Sequence, residues 1–465
     1  MFSGYAADGG MLLPRDLPHF SREAIHLWKN RSYTELVSEI LAYFIHENEI
    51  PRQTLKQIVN ATFQKKFPKD PLPMVQLEEG VWVAEMFHGP TGAFKDLSLC
   101  LIGSLIEYFL SKRSRNVIVV VGTSGDTGSS AIHAVKDVKN VDIFVLYPNG
   151  RISSIQEKQM ATHPEPNVHV YAVDGTSDDL DVPCRNVLSD IEFRDKHHLV
   201  SINSPNVCRI LVQTIHFFYI YLYIYNKYPH IKELNIAIPT GACGNLTSGY
   251  MAYLMGLPIH LIASVNENDI VNEWINTGIF TLKGRQNVIP TISPAVDILV
   301  PYNWERILYY ISNGDSNGVT KCVKDFDTSQ FAQIPPTWLK VMQKTISSYT
   351  VTQSQSQQTI QTVFNKSKGY ILDPHTSLAV TSVYQVKEGS SKEKEQQVFV
   401  CLGTAHPGKF GESVKRILGV EVQFVKGIGG EVSHCAHMKK GENWEAILRK
   451  DITKVSQSWK QNSKL

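Results

Sequence analysis

Short β-rich runs that alternate with helical patterns constrain this chain more than any other feature of it. Val117–Val121, Asp142–Tyr147 and Val168–Val173 read as strands; Leu97–Lys112 ahead of them, and Ser129–Val138 and Ile155–Thr162 between them, read as helices. After a long helix over Val207–Tyr225 the rhythm returns. Asn235–Pro239 is a strand, Asn245–Met255 a helix and Ile259–Val265 a strand, and late in the chain Val398–Leu402 and Lys409–Leu418 repeat it as strand and helix. Neighbouring parallel strands need a crossover, and a helix is the usual one, so the pattern predicts βαβ units and a parallel sheet. Residues 1–75 differ: amphipathic stretches at Tyr33–Glu47 and Thr54–Lys66, followed by Pro68, Pro71 and Pro73, predict a helical unit. Ser347–Thr362 is polar and rich in Ser, Thr and Gln, and Lys387–Gln397 is charged; both are expected as surface segments.

With 465 residues the chain is long enough for two or three domains. Hydrophobic residues at 43% and charged residues at 19% exclude a disordered or collagen-like chain. Forty-six Lys and Arg against 44 Asp and Glu leave a net charge of +2, which gives no general attraction to nucleic acid or to an anionic membrane. An anionic ligand must then be held by a local site. The cysteines Cys100, Cys184, Cys208, Cys243, Cys322, Cys401 and Cys435 are odd in number, scattered and without a CxxC. They predict reduced thiols in a reducing compartment, the cytoplasm with the mitochondrion left open, and no structural zinc. Met1–Pro18 has no basic stretch followed by an apolar one, and the most apolar run, Phe217–Tyr225, is too short to cross a bilayer. The chain therefore reads as a soluble protein, and the sequons at Asn60 and Asn245 as chance matches.

Chemistry is concentrated at a few strand ends and helix starts. His88–Asp96 (HGPTGAFKD) sets Lys95 after a Gly/Pro turn, at a helix start, between Phe94 and Leu97. The positive end of the helix dipole and apolar neighbours depress an amine's pKa, and a neutral amine condenses with an aldehyde. The plain alternative is a surface lysine with its stem packed on the helix. Gly122–Ser130 (GTSGDTGSS) follows a buried strand, and its hydroxyls and free amides suit a carboxylate or phosphate, although it is neither a Walker A loop nor GxGxxG. Pro239–Asn245 (PTGACGN) is a second such cradle. Each lies at the carboxyl end of a predicted parallel strand, where open α/β sheets bind ligands. Leu402–Phe410 (LGTAHPGKF) is a third strand end, equally readable as a helix entry with Pro407 in its first turn. His434-Cys435-Ala436-His437 lacks a third and fourth partner at ligand spacing, so no metal is expected; His197 and His198 read as structural.

Together with SGYAADGGMLLP, SSIQEKQM, SINSPNVCRILVQ and VPYNWER, these segments resemble the threonine synthase family of fold-type II pyridoxal-phosphate enzymes, over nearly the whole chain and especially its animal branch. The resemblance implies two open parallel-sheet α/β domains plus a helical N-terminal domain. Residues 76–115 and 200–440 would form the larger, cofactor-binding domain, 116–199 the smaller one, and 441–465 a C-terminal helix. It implies that Lys95 forms the internal aldimine with pyridoxal 5'-phosphate, with Phe94 in the same segment. Gly241, Ala242, Cys243, Gly244 and Asn245 match the phosphate loop, with Ala242 and Cys243 in place of the usual Asn and Phe. Thr404 matches the hydroxyl residue facing the pyridine nitrogen, which leaves that nitrogen unprotonated. Thr123, Ser124, Asp126 and Thr127 match the loop for the substrate carboxylate and the cofactor's 3' oxygen. Ser154, Gln156, Asn203, Ser204 and Arg209 match the substrate-phosphate side. Members usually carry a further stretch ending in Ser-Thr-Arg-Gly ahead of the part matching Met1–Gly10, and an arginine lost from the site would reduce activity. Pro205 stands where relatives often have another residue. The implied reaction is γ-elimination on a small phosphorylated amino acid, O-phospho-L-homoserine. It gives 2-oxobutyrate, ammonia and phosphate, or threonine if water adds at Cβ, and the enzyme is expected as a monomer or homodimer. A non-catalytic cofactor-binding descendant and a serine/threonine dehydratase are the alternatives.

Overall fold

In the computed structural model, residues 4–6, 8–113, 115–285, 287–389, 397–424, 426–428 and 435–462 are described. Two sheets carry the fold. The larger runs in the order Met74–Glu78, Val81–Glu85, Phe399–Gly403, Leu234–Pro239, Ile259–Val265, Ile346–Thr350; only its first pair is antiparallel. The smaller runs Cys435–Met438, Val168–Val173, Val141–Pro148, Val117–Gly122, Leu199–Val200 and is parallel throughout. Ile279–Thr281 and Phe331–Gln333 form a separate antiparallel pair.

Both sheets are covered on both faces, which is why central strands such as Val117–Gly122 and Phe399–Gly403 carry apolar residues on both sides. Val81, Val83, Ala237 and Ile262 face the helices Gln353–Lys366 and Pro374–Glu388. Trp82, Ala84, Ile236 and Leu261 belong to the opposite core, shared with the N-terminal helices (Leu36, Val37, Val59, Phe63) and with the helix Val207–Lys227. That helix buries Phe217, Phe218, Ile220 and Ile224 completely. At about 1.5–3 kcal/mol per side chain it is a main anchor of the larger core.

The helix Lys95–Arg113 joins the two sheets. Its Leu97, Cys100, Leu101 and Leu105 pack into the larger core, while Leu99, Ile102, Ile106 and Leu110 pack into the smaller. A helix that is apolar all round is a buried one. It crosses the helix Asp126–Val135 so closely that a Cβ on Gly103 would lie 2.3 Å from the Ala134 carbonyl oxygen. The two sheets are thereby fixed with Lys95 at the junction.

Several expectations are corrected. Ser347–Thr362 is not a surface segment: it supplies the edge strand Ile346–Thr350 and most of the helix Gln353–Lys366, which Thr352 opens with a capping box to Gln355. The charged stretch from Lys387 begins inside the helix Pro374–Glu388, and residues 390–396 lie outside the described ones. Lys409 belongs to a 3₁₀ turn, Pro407–Phe410, and the helix follows at Gly411–Leu418. Cys435–Met438, expected with the larger unit, is the edge strand of the smaller sheet, and His434 lies outside the described residues. All seven cysteines are unpaired thiols. Among the described residues no group of three or more His, Cys, Asp or Glu is placed to hold a metal ion.

Candidate active site

Strands Val117–Gly122, Leu234–Pro239 and Phe399–Gly403 end at one cavity, and the turn after Val81–Glu85 brings Lys95 to it. Asp96 fixes that turn: Thr91 donates to its carboxylate from both N–H and Oγ1, each at 2.8 Å. The Phe94 N–H donates to the Thr404 carbonyl at 2.9 Å, tying the lysine segment to the end of Phe399–Gly403. Gly92 has φ +69°, and a Cβ there would sit 2.4 Å from Phe424 Cζ.

The Gly122–Ser130 connection is shaped by Thr123, whose Oγ1 accepts from the Gly125 and Gly128 N–H groups at 3.0 and 2.9 Å. Gly125, at φ +119°, has no room for a side chain against Gln156. The helix that follows starts at Asp126 without a side-chain cap. The Gly128 amide is taken by Thr123, which leaves the Asp126 and Thr127 amides at the helix start for an anion. The Pro239–Asn245 loop ends similarly. Cys243, buried and at φ 60°, turns the chain into the helix Gly244–Leu254, and a Cβ on Gly241 would be 2.6 Å from the Ala295 carbonyl oxygen.

Asp126 is the electrostatic centre. Lys95 Nζ donates to its Oδ2 at 3.1 Å, Gln156 Nε2 donates to Oδ1 at 2.9 Å, and Lys409 Nζ lies 2.9 Å from Oδ1. Burial alone would raise this carboxyl, but Lys409, Lys95 and His375 outweigh it and hold it well below the usual carboxylate range. Burial pushes the Lys95 amine down, helped by Arg209 and Lys409 and opposed by Asp126. The Lys95 ammonium also lies 4.8 Å from the Phe94 ring centroid. Arg209 is buried with no acidic partner within ion-pair distance among the described residues; its Nη2 donates to Thr127 Oγ1 at 3.4 Å, and burial brings it down to about 10.

Phe94, Lys95, Thr123, Ser124, Asp126, Thr127, Asn203, Ser204, Arg209, the whole loop Gly241–Asn245 and Thr404 line this cavity together. Ser154 and Gln156 do not. Ser154 lines a neighbouring cavity and donates to Glu412 Oε1 at 2.9 Å. Gln156 is buried behind Asp126 as the third residue of a capping box with Ser153. The sequence reading also missed residues. His375, Tyr302, Asp178, Asp181 and Gln213 line the cavity, and Lys409 reaches Asp126 from beside it. Burial raises Asp178 to about 6 and Asp181 to about 7. Asn303 donates to Ser204 Oγ at 2.8 Å and to the Ala242 carbonyl at 2.9 Å, bracing the two loops. Lys409, Tyr302 and Gln213 had a signal, since they lie in the segments LGTAHPGKF, VPYNWER and SINSPNVCRILVQ already noted. His375 had none.

What this geometry suits is an anion held beside a reactive amine. Asn245 Nδ2 and Arg209 Nε, both donors at the cavity, are buried without a hydrogen-bond partner. Buried donors left unpaired are costly, so a ligand that accepts from them is favoured.

A family model described as the threonine synthase N terminus matches residues 1–63. The chain is 38% identical over 459 residues to the threonine synthase-like 2 of Xenopus laevis, covering 98% of this chain and 95% of that protein. It is 35% identical to the threonine synthase of Schizosaccharomyces pombe, covering 90% of this chain and 86% of that protein. The crystal structure of a PLP-bound threonine synthase from Brucella melitensis superposes with a TM-score of 0.85 at 32% identity, covering 97% of this chain and 94% of the other.

Proposed function

Because the chain belongs to the threonine synthase family, we propose that it is a phospho-lyase: with one water it converts O-phospho-L-homoserine to 2-oxobutyrate, ammonia and phosphate. It is a pyridoxal-phosphate-dependent enzyme of the threonine synthase type. The site fits that cofactor on its own geometry. The amine of Lys95 is buried and held down, Asn245 presents an unpaired donor, and the loop Gly241–Asn245 lines the same cavity. The phosphate would be held by the amides of Gly241, Ala242, Cys243, Gly244 and Asn245 at the start of the helix Gly244–Leu254. Lys95 would carry the cofactor and Thr404 would meet the ring nitrogen with a neutral hydroxyl.

Pyridoxal phosphate, when bound, supplies an electron sink for the pair left when the substrate loses its α-proton. Lys95 Nζ takes that proton, and burial favours the neutral amine that can accept it. Asp126 pulls the resulting ammonium back to its resting position, 3.1 Å away. Thr123, Ser124 and Thr127, with the first amides of the helix Asp126–Val135, hold the substrate carboxylate. Arg209, with Asn203 and Ser204, takes the leaving phosphate, which supplies the anion that the guanidinium otherwise lacks. A second proton leaves Cβ, the γ-phosphate departs and one proton returns at Cγ; hydrolysis of the released enamine gives the keto acid and ammonia.

The observation that carries the reading is a depressed, buried lysine amine beside two glycine-rich loops in one cavity. The lyase outcome is the reading that the resemblance to the animal branch implies, with threonine formation as the alternative. Incubating the cofactor-loaded protein with O-phospho-L-homoserine and assaying phosphate, 2-oxobutyrate and threonine tests both. Phosphate equal to 2-oxobutyrate supports the lyase, phosphate equal to threonine the synthase, and no phosphate release refutes either.

A further inference from the structure

The clamp on Asp126 holds one group that the proposed reaction does not use. Lys409 has no exposed surface, and its Nζ sits 2.9 Å from Asp126 Oδ1 as an ion pair without a well-aligned hydrogen bond. Lys95 takes the other oxygen, Oδ2. The charged and titratable groups around this cluster are Lys95, Lys409, Asp96, His375 and Arg209. His375 is held by others: its Nδ1 meets Asp373 Oδ1 at 2.9 Å and its Nε2 accepts from the Ala295 N–H at 3.1 Å. Asp96 is engaged by Thr91; burial raises its carboxyl and Lys409 opposes that, but Lys409 is within ion-pair distance of Asp126, not of Asp96.

One cation suffices to neutralise one carboxylate, and burying a second is unfavourable unless it acts. Lys95 is not a permanent cation. Its nitrogen must lose charge to bond the cofactor and must gain and lose a proton in turnover. With Lys95 alone, each of those steps would leave a bare carboxylate in the interior, and the Gln156 amide offers a dipole but no charge. That carboxylate would then draw Lys95 back and raise the affinity of its nitrogen for a proton. Placing Lys409 on the opposite oxygen removes the conflict. We propose that Lys409 is a positioning residue, the permanent counter-ion of Asp126, which keeps that carboxylate charged and aimed while Lys95 changes partner. The inference rests on the assignment of Lys95 as the cofactor lysine.

The test compares full-length wild type, Lys409→Arg and Lys409→Met, each loaded with pyridoxal phosphate. Borohydride reduction and peptide mapping locate the cofactor, and a pH titration of its visible absorbance reports protonation of the linked nitrogen. We expect the label on Lys95 in all three. Lys409→Arg keeps the wild-type titration, whereas Lys409→Met moves it to higher pH by about one unit, because a cation that repelled the proton is gone and Asp126 serves Lys95 alone. An unchanged titration in Lys409→Met, or one displaced as far in Lys409→Arg, overturns the proposal. Should Lys409→Met not fold, Asp126→Asn/Lys409→Met, which removes both charges, is expected to fold; failure of that pair also overturns it. A wild-type label on another peptide, or none, instead refutes the assignment of Lys95 itself.

Discussion

Asp126→Asn is the most informative single change in this protein. The carboxylate is buried and meets two lysine ammoniums, at 3.1 and 2.9 Å. Removing one partner of a buried ion pair leaves an uncompensated charge and costs about 3–5 kcal/mol. Here burial, Arg209 and Lys409 all favour the neutral form of Lys95 once Asp126 is gone, so the lower end, about 3 kcal/mol, is expected. The pH dependence has a definite sign. A carboxyl held below its ordinary value stabilises the fold above that ordinary value, and the contribution disappears as pH falls toward the folded-state value. The gap between wild type and variant should be flat from about pH 5 to 7 and narrow below about pH 4. Urea unfolding of the apoprotein measures it, with the holoprotein followed separately because a bound cofactor adds stability by mass action. Adding Lys409→Met to Asp126→Asn should restore part of the loss, since the stranded cation is then gone. A gap under about 1 kcal/mol at pH 7, or one that widens on acidification, would refute the reasoning.

The other predictions address the site and the frame. Lys95→Ala should leave no borohydride-fixed pyridoxyl group and lower phosphate release from O-phospho-L-homoserine by about 10²–10⁴-fold; retained turnover would place the proton transfer elsewhere. Gly241→Ala puts a Cβ 2.6 Å from the Ala295 carbonyl oxygen, so it should destabilise by about 1–3 kcal/mol and weaken pyridoxal phosphate binding in equilibrium dialysis. Unaltered binding would show that this loop does not hold the phosphate. Thr352→Ala removes the capping box of Gln353–Lys366 and should cost about 1 kcal/mol in urea unfolding with turnover unchanged.

The strands were legible where burial on both faces made them continuously apolar, as in Val117–Gly122. Helix starts were less so. The helix read from Ser129 begins at Asp126, because Asp-Thr-Gly carries no apolar signal and the start is set by Gly125 at φ +119°. Ser347–Thr362 misled for a related reason: beside Val351 and Ile360, its buried positions are small hydroxyl residues. Ser348 donates to the Ala263 carbonyl at 2.9 Å, Ser356 pairs with Ser377, and Thr359 accepts from Thr381 at 2.7 Å. A polar residue whose hydrogen bonds are all internal looks like surface in a one-dimensional reading.

The same limit explains which parts of the site could be read. Lys95 and the two loops announce themselves because glycines at fixed offsets leave the backbone exposed beside a strand end, a local requirement with a local signature. The roles of Lys409 and His375 are created by approach. Neither neighbours Asp126 in sequence, and only the convergence of the helix Lys95–Arg113 with the strand ends at Gly122 and Gly403 sets charges around one carboxylate. Ser154 and Gln156 show the converse. Both lie near a plausible anion-binding helix start, yet the capping box with Ser153 directs Gln156 to Asp126, and Ser154 turns to Glu412. The anion loops are therefore properties of short segments, whereas the electrostatics that tune Lys95 belong to the packing of the two sheets, so substitutions deep in that packing should alter its reactivity without touching either loop.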